Sequence, residues 1–209
     1  MEIRKLRAEE INVKVKQVIS TTKKDGTTWS GFVALLYKDA RCDMDILDET
    51  YGIEGWQCEY ETIKDNLYCK IGIWSEVRGQ WIWKQDCGIA SRVDDGNEKK
   101  GEASDAFKRA GFKVGIGREL YTSPKILIPA EVVFVKKDEK TSKEIYRLKD
   151  NYAEYTVQSI VYDKNEIGSL VIQDKNGNPV FFWKKKGFND KPKGQKEPQK
   201  EKDGDYIPY

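Results

Sequence analysis

Three segments rich in aromatic and β-branched residues, Trp56–Ile63, Leu67–Trp74 and Gln80–Ala90, follow one another with only turns between them. Asp65-Asn66 forms the first turn and Arg78-Gly79 the second. Strands joined by connections this short pair with their neighbours, so the block predicts a three-stranded antiparallel meander. Packing within the sheet accounts for at least two of the three tryptophans on it, Trp74, Trp81 and Trp83. A polar loop, Asp94–Lys100, then leads into a stretch with a different period. Ala103, Ala106, Phe107, Ala110 and Val114 recur at three- and four-residue steps, the signature of a helix over Glu102–Val114 with one apolar stripe. The alanines let another backbone come close on that side. Gly115 and Gly117 stop the helix. The result is a β-β-β-α unit whose sheet has one face in water and one under the helix.

Lys108 and Arg109 point away from the apolar stripe, with Phe112 beside them. A helix face offering two cations and an aromatic ring suits a phosphate backbone and a stacked base. The cations alone would describe an ordinary solvated face. A large ring opposite the buried stripe must meet something: a neighbouring element, another subunit or a ligand.

Before the meander, Ile11–Ile19 alternates as a strand and Phe32–Tyr37 reads as a buried one, with a turn at Lys23-Lys24-Asp25-Gly26. Asp43–Tyr51 has Met44, Leu47 and Tyr51 at helical spacing and stops at Gly52. After Tyr121, Pro124 and Pro129 bracket Lys125–Ile128, and a charged segment follows from Lys136 to Asp150. Tyr155–Tyr162, Gly168–Gln173 and Val180–Trp183 read as three strands, the last two joined by a strong turn, Asp174–Asn178. From Lys184 the chain is rich in lysine and poor in large apolar residues, a composition expected of disorder. The fold class is therefore α+β. Residues 1–125 make the β-β-β-α core, 126–183 a small β appendage, and 184–209 a disordered tail.

The tail ends in Asp203-Gly204-Asp205-Tyr206-Ile207-Pro208-Tyr209. Two acids followed by apolar residues make a compact ligand for a partner with a basic rim and an apolar pocket.

Composition removes several functions. The chain has 209 residues, no histidine and a net charge of +2. Without histidine, Ser-His-Asp and Cys-His sites are impossible, and a typical zinc enzyme loses its commonest ligand. Cys42, Cys58, Cys69 and Cys87 form no Cys-x-x-Cys pair, which argues against a zinc knuckle, and they read as small core residues. No cofactor is implied. No apolar run approaches the roughly 18 residues of a membrane helix. The start, Met1-Glu2-Ile3-Arg4-Lys5, lacks a signal peptide's apolar segment, so a cytoplasmic setting is expected. With so little net charge, affinity for nucleic acid must come from clustered cations.

Three pieces of this sequence together resemble the annealing domain of the Rad fifty-two family, most closely its phage and bacterial members. They are Gly52-Ile53-Glu54-Gly55-Trp56-Gln57, the meander with Asp86-Cys87-Gly88, and Lys100-Gly101-Glu102-Ala103-Ser104-Asp105-Ala106-Phe107-Lys108-Arg109-Ala110. The resemblance covers about Phe32 to Tyr121. It implies a protein that binds single-stranded DNA and anneals complementary strands without ATP in recombination and repair. It also implies a homo-oligomeric ring or arc with a basic groove that holds the strand backbone inward and its bases outward. The family's lysine-arginine pair on the helix falls on Lys108 and Arg109. A further groove arginine falls on Phe112, with Lys113 adjacent, and another falls beside Arg41. Arg78 and Lys100 are the candidates for an outer DNA site near the meander turn. The C-terminal tip is similar to the tails by which bacterial single-stranded DNA-binding proteins recruit replication and repair enzymes, with Gly204 and Tyr209 as departures.

The leading expectation is thus a non-enzymatic strand-annealing protein, for which the duplex itself supplies the driving force. Gly115-Ile116-Gly117 has no downstream Gly-Lys-Ser/Thr, so no nucleotide loop is present. One alternative is a single-strand coating protein that recruits partners through its tip. Another is a nuclease holding magnesium on Asp43, Asp45 and Asp48, against which stands the ordinary reading of these acids as a solvated helix face.

Overall fold

The computed structural model describes residues 2–89 and 98–189. It is a mixed α and β structure with antiparallel sheets and two α-helices. Strands β1 (Asn12–Thr22) and β2 (Thr28–Tyr37) form a long hairpin, followed by helix α1 (Ala40–Tyr51). The meander is β3 (Trp56–Ile63), β4 (Asn66–Ser75) and β5 (Gln80–Cys87), paired in that order. Helix α2 (Glu98–Val114) begins before Glu102, so Lys99 and Lys100, expected in the loop, are helical; residues 94–97 lie outside the described residues. Then come β6 (Ile126–Pro129), β7 (Val132–Lys137), β8 (Glu144–Leu148), β9 (Tyr155–Asp163), β10 (Glu166–Asp174) and β11 (Pro179–Lys184).

α2 packs on β4 and β5 with the stripe its spacing predicts. Ala106, Phe107 and Ala110 are fully buried, against Cys69 and Ile71 of β4. Small residues let the backbones meet here. A Cβ on Gly88, just past β5, would come within 2.2 Å of the Glu102 carbonyl oxygen on α2. The other face of the meander is open to water. There Trp74 and Trp81 pair across strands at 5.5 Å, and Trp83 lies flat over Gly72.

The second sheet differs most from expectation. Its order is β11-β10-β9-β1-β2-β6, so strands from both sides of residue 125 share one sheet. The N-terminal hairpin is joined to β9 through Asn12 and Thr156, and to β6 through the pairs from Gly31–Pro129 to Ala34–Ile126. The edge strands β6 and β11 approach each other, so the sheet curls around Phe32, Ile126, Ile128, Val157, Leu170 and Ile172. These residues belong to the same continuous core as α1, α2 and β4. The charged segment Lys136–Asp150 contains half of a hairpin, β7–β8. Order also continues past Lys184. Lys185 pairs with Asp163 and Glu166, and the Phe188 ring covers Gly168. The remainder of the tail, residues 190–209, lies outside the described residues, and the tip lies there with it.

Candidate nucleic-acid interface

A groove of about 820 Å³ runs between the β1–β2 hairpin, α2 and the segment 117–126. Five cations line it: Lys16, Lys38, Lys108, Arg109 and Lys125. One acid, Asp105, is among its lining residues, and that carboxylate accepts the Ile89 amide at 3.1 Å. The floor is apolar and aromatic, with Val33, Leu35, Tyr37, Phe112, Leu120 and Tyr121.

Four local devices place the five cations. Lys108 and Arg109 lie on α2, where the burial of Ala106, Phe107 and Ala110 fixes which side faces out. Lys16 is the extra residue of a β-bulge. Val15 pairs with Ala34 and Gln17 with Val33, which leaves Lys16 without an opposite number. Lys125 precedes the first residue of β6.

Lys38 follows the last residue of β2 and is 8% exposed. Its ammonium donates to Asp43 Oδ2 at 2.6 Å, and Asp43 is fully buried. Two glycines make room for this pair. A Cβ on Gly111 would come within 2.7 Å of Asp43 Oδ2, and one on Gly117 within 2.5 Å of Lys38 Cε. Gly117 also takes a left-handed φ of 72°. Burial pushes the Asp43 carboxyl up to about 6, against the opposing pull of Lys38 and, more weakly, of Lys108.

Asp86 on β5 shares Arg109, at 3.5 Å, and Lys113, at 3.4 Å. Partial burial works to raise the Asp86 carboxyl, but the Cys87 amide, Arg109 and Lys113 outweigh it and hold it below the usual carboxylate range. Lys113 also donates to the Gln85 carbonyl at 2.7 Å, which turns it along the sheet. Phe112 meets Tyr121, with ring centres 4.6 Å apart, and the Arg118 guanidinium lies 5.7 Å from the centre of the Phe112 ring. Arg118 at the same time caps α2 by donating to the carbonyls of Phe112 and Lys113.

Among the sequence candidates, the groove therefore brings together Lys108, Arg109 and Phe112. Arg41 is exposed on the first turn of α1, Arg78 lies in the β4–β5 turn, Lys100 lies near the start of α2, and Lys113 turns toward Asp86; none of these four lines the groove. Asp203, Asp205, Tyr206, Ile207, Pro208 and Tyr209 lie outside the described residues. Lys16, Lys38, Lys125 and Tyr121 were not among the sequence candidates.

The three acids considered for magnesium diverge. Asp43 is paired with Lys38, Asp48 accepts the Trp56 indole N–H at 2.6 Å, and Asp45 is exposed. Among the described residues no three His, Cys, Asp or Glu side chains are placed to hold a metal ion. Cys42 and Cys69 are buried as expected, whereas Cys58 is exposed and Cys87 half-buried. Among the described residues no helix is long and apolar enough to cross a membrane.

A second cavity, about 610 Å³, opens at the end of the curled sheet near Pro129, Tyr155 and Val180. Of its lining charges, Glu131 pairs with Lys149 at 2.5 Å and Asp150 with Lys175 at 2.9 Å, and the acids Glu154 and Asp174 are left in excess. An acidic lining repels a phosphate backbone, and the cationic groove is the stronger candidate.

No family model, no curated protein and no solved structure matches the chain.

Proposed function

We propose that this protein binds single-stranded DNA in the α2 groove and anneals complementary strands without nucleotide hydrolysis, as a homo-oligomeric ring or arc. The observation that carries the reading is the groove, in which five cations surround an aromatic and apolar floor. Cations on that scale bind a phosphate backbone without regard to sequence. Between three and five phosphate contacts would make the logarithm of affinity fall with that of salt at a slope of about −2 to −3.5. The resemblance to the Rad fifty-two annealing domain adds the oligomer and the outward-facing bases. A strand held by its backbone leaves its pairing edges free to test a partner, and pairing then releases the energy that drives the reaction.

The test is to replace Lys108 and Arg109 together by alanine. Single-strand affinity at low salt is expected to fall at least tenfold, or about 1.4 kcal/mol, with the oligomer intact by light scattering. Wild type is expected to speed the pairing of two complementary oligonucleotides. A protein that binds but slows pairing would be a coating protein. Unchanged affinity in the double variant would remove the groove from the account.

A further inference from the structure

Tyr121 is 81% exposed, yet the residues flanking it are tied into the fold. It lies in a short 3-10 helix, Arg118–Thr122, pinned on either side of it. Glu119, 1% exposed, accepts the Leu6 amide at 2.7 Å. Thr122 Oγ1 accepts the Ile167 amide of β10 at 2.9 Å and donates to the Glu119 carbonyl at 2.7 Å. These bonds tie Glu119 to Leu6 near the start of the chain and Thr122 to β10, and the Tyr121 ring between them stays exposed. One edge of that environment is already occupied, because Phe112 packs against the ring at 4.6 Å and Arg118 lies over Phe112. Phe112 is accordingly half-covered, and of the three rings that line the groove Tyr121 is the most exposed, at 81% against 43% for Tyr37. Lys108, Arg109 and Lys125 line the same groove.

A large ring held in water by a rigid backbone is preorganised for stacking, since little freedom is lost when a partner arrives. Resting on the single-strand reading above, we infer that Tyr121 stacks one base of each bound stretch and is the residue by which the groove selects unpaired strand over duplex. The cations cannot make that choice, because both forms present phosphates. The ring can. In a duplex the base faces are covered by neighbouring pairs, whereas an unpaired strand can open a face to the ring without breaking pairs. Stacking uses the face of the base and leaves its pairing edge outward, so it is compatible with annealing.

The experiment compares oligothymidylate, an abasic backbone of equal length and a duplex of equal length, at several salt concentrations, on wild type, Tyr121→Ala and Tyr121→Phe. Wild type is expected to prefer oligothymidylate to both other probes. Tyr121→Ala should lose roughly tenfold or more on oligothymidylate, with affinity for the abasic probe and the salt slope unchanged. Tyr121→Phe should behave as wild type. The inference is overturned if wild type binds the abasic probe as well as oligothymidylate, if Tyr121→Ala weakens both single-stranded probes alike, or if that variant loses its oligomer by light scattering. A wild type that binds none of the probes in dilute buffer would instead overturn the single-strand reading on which this rests.

Discussion

At the scale of single residues, the most consequential group beneath the groove is Asp43. A carboxylate with no exposed surface is expensive to ionise, and a neighbouring ammonium recovers only part of that expense. Here desolvation wins, since the Asp43 carboxyl lies at about 6 against an ordinary value of 3.8. The sign of the linkage follows. Between these two values the folded protein holds a proton that the unfolded chain has released. Stability from this group is therefore fully present below 3.8 and is lost as pH rises through 6. The loss is up to about 3 kcal/mol. Asn in place of Asp43 keeps the shape and never ionises. Lys38 is not stranded by that change, because it lines the groove and its long stem can carry the ammonium to water. Asp43→Asn is thus expected to be more stable than wild type at pH 7 and about equal to it at pH 4, by urea unfolding at both pH values. An Asn variant less stable than wild type at pH 7 would show that the ion pair contributes net stability.

At the scale of elements, legibility followed the range of the information. The meander and α2 could be read because alternation, turn residues and a three-four spacing are written locally, and Ala106, Phe107 and Ala110 are buried as that spacing requires. The β7–β8 hairpin could not be read. Phe134, Val135 and Ile145 on it are exposed, so it buries no continuous face and shows no clean period. The bulge at Lys16 was equally silent, since an extra residue appears only against a partner strand. Its consequence is testable because the register on either side is unbroken, Val15 with Ala34 and Gln17 with Val33. Deleting Lys16 would join the two runs into one regular ladder. The variant is expected to fold with stability within about 0.5 kcal/mol of wild type. Its salt slope for single-stranded DNA is expected to be shallower by about 0.7, the share of one phosphate contact. An unchanged slope in a well-folded deletion variant would show that Lys16 contacts no phosphate.

At the scale of the whole molecule, the boundary suggested at residue 125 falls inside a sheet. The prolines and the charged segment after Tyr121 mark a local change in character there. What crosses it is non-local: β6 pairs with β2, and β9 pairs with β1 across more than a hundred residues of chain. No local pattern records such pairings, because an alternating strand looks the same whichever partner it finds. The crossing contacts are among the most buried in the protein. Phe32, 0% exposed, packs on the Tyr155 ring at 4.8 Å and beside Ile126 and Ile128, and Tyr162 donates its hydroxyl to the Leu6 carbonyl at 2.8 Å. Even Thr122 of the pinned segment beneath the groove depends on the Ile167 amide. A fragment of residues 1–125 would therefore leave both edges of the β1–β2 hairpin open and expose the apolar surface around Phe32, an arrangement prone to edge pairing and aggregation. That fragment is expected to show no cooperative thermal transition and to be degraded by protease under conditions that spare residues 1–189, with the fall of soluble intact fragment over time as the measure. If it instead melted cooperatively within a few degrees of the longer protein, the meander with α2 would be a self-sufficient unit, and the curled sheet would be an attachment to the groove and no part of its foundation.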